Sequence, residues 1–267
     1  MPAGRLLPLA TLDAARFRSV KGVLTDIDDT LTRDGAIEPA ALAALHDLRT
    51  NGLPVIAITG RPTGWSEPFA MQWPVHAIVA ENGGVMLRAR ATGLQREFAQ
   101  CEAERACNFQ RLQACAAAVL LGVPGSQLAR DSAGRLTDVA IDHSEIAHLD
   151  EARIAQVVAL MRQHGLNATV SSIHINGWIG EHTKWTAAQW AVQRCTGKAL
   201  RVEDWAYVGD STNDQLMFDH IPLSVAVANI ARFVPRLGVL PAYVTLGERG
   251  AGFAEFAKVL LAARDAA

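Results

Sequence analysis

The sequence has no CxxC pair. Its four cysteines stand apart at 101, 107, 115 and 195. That pattern speaks against a zinc site and fits a reduced, cytoplasmic setting. No apolar run approaches the roughly 20 residues that cross a bilayer, so no membrane partner is expected. The first twenty residues hold only a short apolar patch, soon interrupted by Asp13, Arg16 and Arg18, which does not read as a signal peptide. Charge of one sign is also lacking. The net charge is −2 and the arginines are scattered, so no nucleic-acid partner is expected. Repeats and low-complexity stretches are absent. What remains is a chain of 267 residues, half of them hydrophobic, long enough for two domains.

The stretch Lys21–Thr32, KGVLTDIDDTLT, stands out. Val23, Leu24 and Ile27 are strand formers, and Asp26, Asp28 and Asp29 mark the strand's C-terminal edge. Side chains alternate along a strand, so Asp26 and Asp28 are expected on one side, roughly 7 Å apart. Paired carboxylates repel unless a cation or shared proton relieves them. A magnesium site with one Asp free as nucleophile is one reading. An Asp-rich turn capping a helix is the other.

Further along, a helical stretch at 40–50 ends at Asn51-Gly52, and the apolar run Leu53–Thr59 reads as a buried parallel strand. Together they form a βαβ unit. A third strand, 75–80, leads into Glu81-Asn82-Gly83-Gly84 and a returning segment at 85–87. The rhythm then breaks. Helices are expected at 97–121 and 150–164, and strands at 136–141 and 168–176. After that come a helix at 183–195 that opens with Lys184, a strand at 205–208 ending in Gly209-Asp210-Ser211-Thr212-Asn213-Asp214, two further strands and a closing helix. The expected fold is α/β: a doubly wound, mostly parallel Rossmann-like core sheet with an inserted α+β domain. The expected boundaries are 1–87 and 179–267 for the core and 88–178 for the insertion.

Asp26-Ile27-Asp28-Asp29-Thr30, Thr59 within ITGR, Lys184 and Gly209–Asp214, in that order, resemble the motifs of the haloacid dehalogenase superfamily of phosphohydrolases. The position of the insertion and the Glu81-Asn82-Gly83 turn resemble its branch with an α/β cap, which includes sugar phosphatases. Asp29 departs from the Gly found in many members of that branch. The resemblance implies a Mg2+-dependent phosphatase that works on a small phosphorylated metabolite through an aspartyl-phosphate. It implies Asp26 as nucleophile, Asp28 as general acid and base, and Thr59 and Lys184 as phosphate holders, with Gly60, Arg61 and Asn213 beside them. The implied metal set is Asp26, Asp28, Asp210 and Asp214. His174, Asn176, Trp178 and Arg135 are expected to face the site from the cap, with Asn82 and Asn229 in supporting turns. A phosphomutase and a receiver-like phosphate sensor are the alternatives. Neither the substrate nor the oligomeric state has a sequence signature.

Overall fold

The computed structural model describes residues 6–265. A nine-stranded sheet runs through the molecule. Its order is 7–8, 243–244, 223–226, 205–209, 22–25, 55–58, 77–80, 85–90 and 93–98. Strands are parallel as far as Ala77–Ala80, and the last two pairings are antiparallel. The central strands are buried along their whole length, as expected of parallel strands covered on both faces.

Period-two alternation divides their side chains between two cores. Val23, Val55, Ala57, Ala206 and Val208 pack under the helices Pro39–Thr50 and Arg249–Asp265, with Leu45, Leu48, Phe253 and Phe256. Leu24, Ile56, Ile58 and Tyr207 pack on the opposite face against Ala187, Ala188, Ala191 and Val192 of the helix Lys184–Thr196. Burying one large apolar side chain in this way stabilises the fold by about 1.5–3 kcal/mol.

A second, antiparallel sheet has the order 167–170, 174–178, 138–142, 127–128. The same alternation sorts its residues. Val139, Ile141 and Ile175 pack against the helices Glu102–Gly122 and Glu151–Gln163. Asp138, His174 and Asn176 therefore project from the other face, toward the large sheet.

The structure departs from the sequence reading in several places. The helix expected from Glu97 begins at Glu102, because Gly93–Phe98 pairs as a hairpin with Val85–Arg90. The expected boundary at residue 88 thus falls inside a strand of the large sheet. The run 168–176 is two strands joined by a tight turn at 171–173, where the Ser171 hydroxyl accepts from the backbone of His174. The strand Gly22–Thr25 stops before the Asp cluster. The Ile27 carbonyl then accepts from the amides of Thr30, Leu31 and Thr32, so Asp28 and Asp29 sit on a turn rather than on a strand.

Candidate active site

Three strand ends and one helix start build the site. Asp26 follows Gly22–Thr25 directly, and its amide donates to the Val208 carbonyl of the neighbouring strand, at 2.9 Å. Asp210 follows Trp205–Gly209. Both carboxylates are therefore held at the carboxyl edge of adjacent parallel strands, where ligands of open α/β sheets bind. One oxygen each from Asp26, Asp210 and Asp214 lie within 4.8 Å of one another, all three buried.

Lys184 opens its helix beneath this cluster. Thr183 caps the helix, accepting from the Thr186 amide, which fixes where Lys184 starts. The buried ammonium lies 2.9 Å from Asp26 Oδ1 and 2.6 Å from Asp214 Oδ1, and donates to Asn213 Oδ1 at 3.3 Å. Asp214 is saturated. Its Oδ1 also accepts from the Tyr207 hydroxyl, and its Oδ2 accepts from the amides of Asp210 and Ser211.

Three carboxylates against one ammonium leave an excess of buried negative charge. Burial pushes the Asp26 carboxyl up to about 7, with Lys184 opposing and Asp214 and Asp28 adding to the push. Burial holds Asp210 well above the carboxylate range, with Asp26, Asp214 and Asp29 adding to the push and Arg232 opposing it. Burial disfavours the Lys184 charge, but Asp214 and Asp26 outweigh it and keep the ammonium charged. Asp210 Oδ1 is buried with no partner, and its Oδ2 accepts from Asn229 at 3.0 Å. An orphaned carboxylate oxygen beside a second carboxylate suits a hard divalent cation, so the donor set fits magnesium.

Thr59 is fully buried, and its hydroxyl accepts from the Arg61 amide at 3.0 Å. The Gly60 carbonyl accepts from Asn176 Nδ2 and from Arg135, each at 3.0 Å. Arg61 reaches Asp28 at 2.9 Å, Asp131 at 3.1 Å and Glu145 at 3.4 Å. His174 meets the other oxygen of Glu145 at 3.0 Å. The inserted layer is thus docked over the strand ends. Trp178 lines a cavity of about 540 Å³ together with Asn82, Thr183, Lys184 and Asn213. Asn229 also donates to the Asp29 carbonyl, while Arg232 and Arg249 grip the Asp29 carboxylate at 2.7 and 2.8 Å. Burial would raise Asp29, but the two guanidiniums outweigh it and hold this carboxyl below its usual range. An Asp in place of Gly therefore has its own counter-charges.

Sequence reasoning missed Asp131, Glu145, Asp138 and Tyr207, none of which lies in a motif. Only the alternation around His174 and Asn176 could have pointed to Asp138.

The sequence pattern of haloacid dehalogenase-like hydrolases matches residues 23–120. Over that stretch the chain is similar to the haloacid dehalogenase-like hydrolases. Among the relatives of this chain is a phosphoglycolate phosphatase of Methanosarcina mazei, 26% identical over 216 residues, covering 78% of this chain and 84% of the relative. Its fold is similar to that of a Thermoplasma acidophilum protein with a TM-score of 0.69 and 17% identity, covering 91% of this chain and 98% of the other. It is also similar to the sucrose-phosphatase of Synechocystis, solved with sucrose and phosphate, with a TM-score of 0.65 and 15% identity, covering 90% and 98%. A receiver module would not account for the second sheet. Among the described residues no helix is long and apolar enough to cross a membrane.

Proposed function

We propose that this chain is a magnesium-dependent phosphatase that cleaves a small phosphate monoester, of the sugar-phosphate kind, through a phosphoryl group carried on Asp26. The observation that carries this reading is the Asp26 carboxylate, buried at a strand end, bridged to Lys184 and facing the unpartnered oxygen of Asp210. Asp26 and Asp210 would hold the cation, with the backbone of Asp28. Asp214, with every lone pair already engaged, orients Lys184 and the 210–211 backbone. Magnesium, when bound, offsets the negative charge that otherwise repels a phosphate dianion.

Asp26 forms an O–P bond as the bond to the leaving oxygen breaks, and Asp28 gives that oxygen its proton. Asp28 then takes a proton from water as the new O–P bond forms and the bond to Asp26 breaks. Lys184, Thr59 and Asn213 neutralise and position the remaining phosphoryl oxygens. Arg61 fixes the Asp28 carboxylate at 2.9 Å and ties it to the roof through Asp131 and Glu145, so closure and acid–base chemistry share one side chain. The roof face of Asp138, His174 and Asn176 is polar, which suits a hydroxyl-rich leaving group. The sucrose-phosphatase relative gives the sugar-phosphate reading its support. The four unbridged cysteines suit a cytoplasmic enzyme.

Phosphate release from a panel of sugar phosphates and p-nitrophenyl phosphate, with and without Mg2+, tests the proposal. Turnover should require the cation and vanish in Asp26→Asn. Equal rates without the cation, or in the variant, would refute it. Transfer to a second hydroxyl with no release of phosphate would favour the phosphomutase instead.

A further inference from the structure

The turn after the strand Ala77–Ala80 is strained in a way that nothing above uses. Glu81 and Asn82 both adopt left-handed backbone, with φ of +53° and +54°. That region is disfavoured for side chains with a Cβ and persists only where the surroundings enforce it. Gly83 follows at φ +115°, and a Cβ there would lie 2.8 Å from the Thr183 carbonyl. The turn is therefore pressed against the residue that caps the Lys184 helix.

The enforcing contacts come from Glu81, whose side chain is wholly buried. One oxygen accepts from the Thr63 amide at 2.9 Å, from the Thr63 hydroxyl at 2.6 Å and from the Leu136 amide at 3.1 Å. The other accepts from the amides of Leu136 and Thr137, at 3.0 and 2.5 Å, and from the Thr137 hydroxyl at 2.7 Å. Thr63 begins a helix of the large layer, and Leu136 and Thr137 lead into the inserted sheet. No Lys or Arg forms an ion pair with Glu81 among the described residues. Dipoles from both layers converge on one carboxylate, so neither layer can move without losing charge-assisted bonds.

The next residue bears the consequence. Asn82 is buried, its Nδ2 has no acceptor, and it lines the cavity that also holds Lys184 and Asn213. A buried amide donor without a partner is costly unless a ligand supplies the acceptor.

We propose that Glu81 is a positioning residue that latches the inserted layer to the 63–72 helix and so holds the left-handed turn that offers the Asn82 amide to an anionic oxygen bound beside Lys184. This rests on the phosphatase reading for the identity of the anion, but not for the latch.

The test is a double-mutant cycle with Asn82→Ala, Glu81→Gln and the pair, read as kcat/KM on p-nitrophenyl phosphate with Mg2+. Removing one such donor should lower kcat/KM by about 10²-fold. Glu81→Gln should approach the same loss, and the pair should be within about threefold of Asn82→Ala alone, because both act through one amide. Losses that multiply, or an unchanged rate in Glu81→Gln, would overturn the proposal. Two readouts do not need turnover. Amide hydrogen exchange at Leu136 and Thr137 should rise in Glu81→Gln and stay at the wild-type level in Asn82→Ala. Inorganic phosphate should bind more weakly to both variants. Unchanged exchange would remove the latch, and unchanged phosphate binding would remove the Asn82 role. If wild type hydrolyses nothing while exchange and phosphate binding respond as stated, the phosphatase reading fails and the latch stands. Thr137→Val, which deletes one hydroxyl bond, should shift each readout in the same direction by less. It decides the matter if Glu81→Gln does not fold.

Discussion

Replacing Lys184 by Met keeps the stem of the side chain and deletes its charge. In the native site the ammonium sits between Asp26 and Asp214, at 2.9 and 2.6 Å, with all three groups buried. Breaking a buried ion pair from one side costs about 3–5 kcal/mol, because the stranded charges remain. For a chain of this size that is a fall in Tm of roughly 10 °C. Two linked effects make the reasoning specific. Asp26 already has a raised pKa that Lys184 holds in check, and without Lys184 it rises further. The stranded carboxylates can then be relieved by protons, so the deficit relative to wild type should be largest at alkaline pH and should shrink as pH falls. A divalent cation should relieve them too, so Mg2+ should raise the Tm of Lys184→Met by more than it raises that of wild type. Phosphate release should fall by at least 10²–10³-fold, the usual loss for one charge-stabilising group. Calorimetric melting at several pH values, with and without Mg2+, and phosphate release check these effects together. A variant within about 1 kcal/mol of wild-type stability and threefold of its rate would show that Lys184 is not the counter-ion described here.

Asp210→Asn should weaken Mg2+ binding by at least tenfold, measured by titration calorimetry, because it exchanges the unpartnered carboxylate oxygen for a neutral amide. Arg61→Ala should remove its contacts with Asp131 and Glu145 together, raise KM and make the 131–145 segment more susceptible to limited proteolysis, with Asp28 left without its anchor. His182 is buried with neither ring nitrogen partnered, and burial pushes it down from 6.5 to about 4. The unfolded chain therefore takes up this proton first as pH falls. Stability from this group should decline between about pH 6.5 and 4, by up to about 3 kcal/mol. His182→Leu should flatten that part of the urea-denaturation profile, and an unchanged slope would contradict the assignment.

The acidic cluster was legible because strand-terminating aspartates in a parallel sheet must emerge at one edge, and 22–25 and 205–209 are neighbours. Lys184 was legible as a helix start but not as a group lodged between two aspartates, which depends on packing. His174 and Asn176 could be placed on one face by alternation alone. The contacts of Arg61 with Asp131 and Glu145 span 70 and 84 residues and exist only once the inserted layer docks. No local pattern encodes them. The misread helix start at Glu97 has a similar origin. Glu97 and Phe98 stand just before the helical stretch and read as part of it, and only pairing with Val85–Arg90 makes them a strand. Glu81 stood out as part of a turn, but its six hydrogen bonds come from segments that the sequence does not bring together.

The claim on which everything else depends is that Asp26 accepts the phosphoryl group. Rapid acid quench of wild-type enzyme turning over substrate with Mg2+, followed by peptide mass spectrometry, measures this directly. A phosphoryl adduct on the peptide bearing Asp26, absent without the cation and absent in Asp26→Asn, is the expected result. An adduct on another residue, or wild-type turnover by Asp26→Asn, would contradict the account.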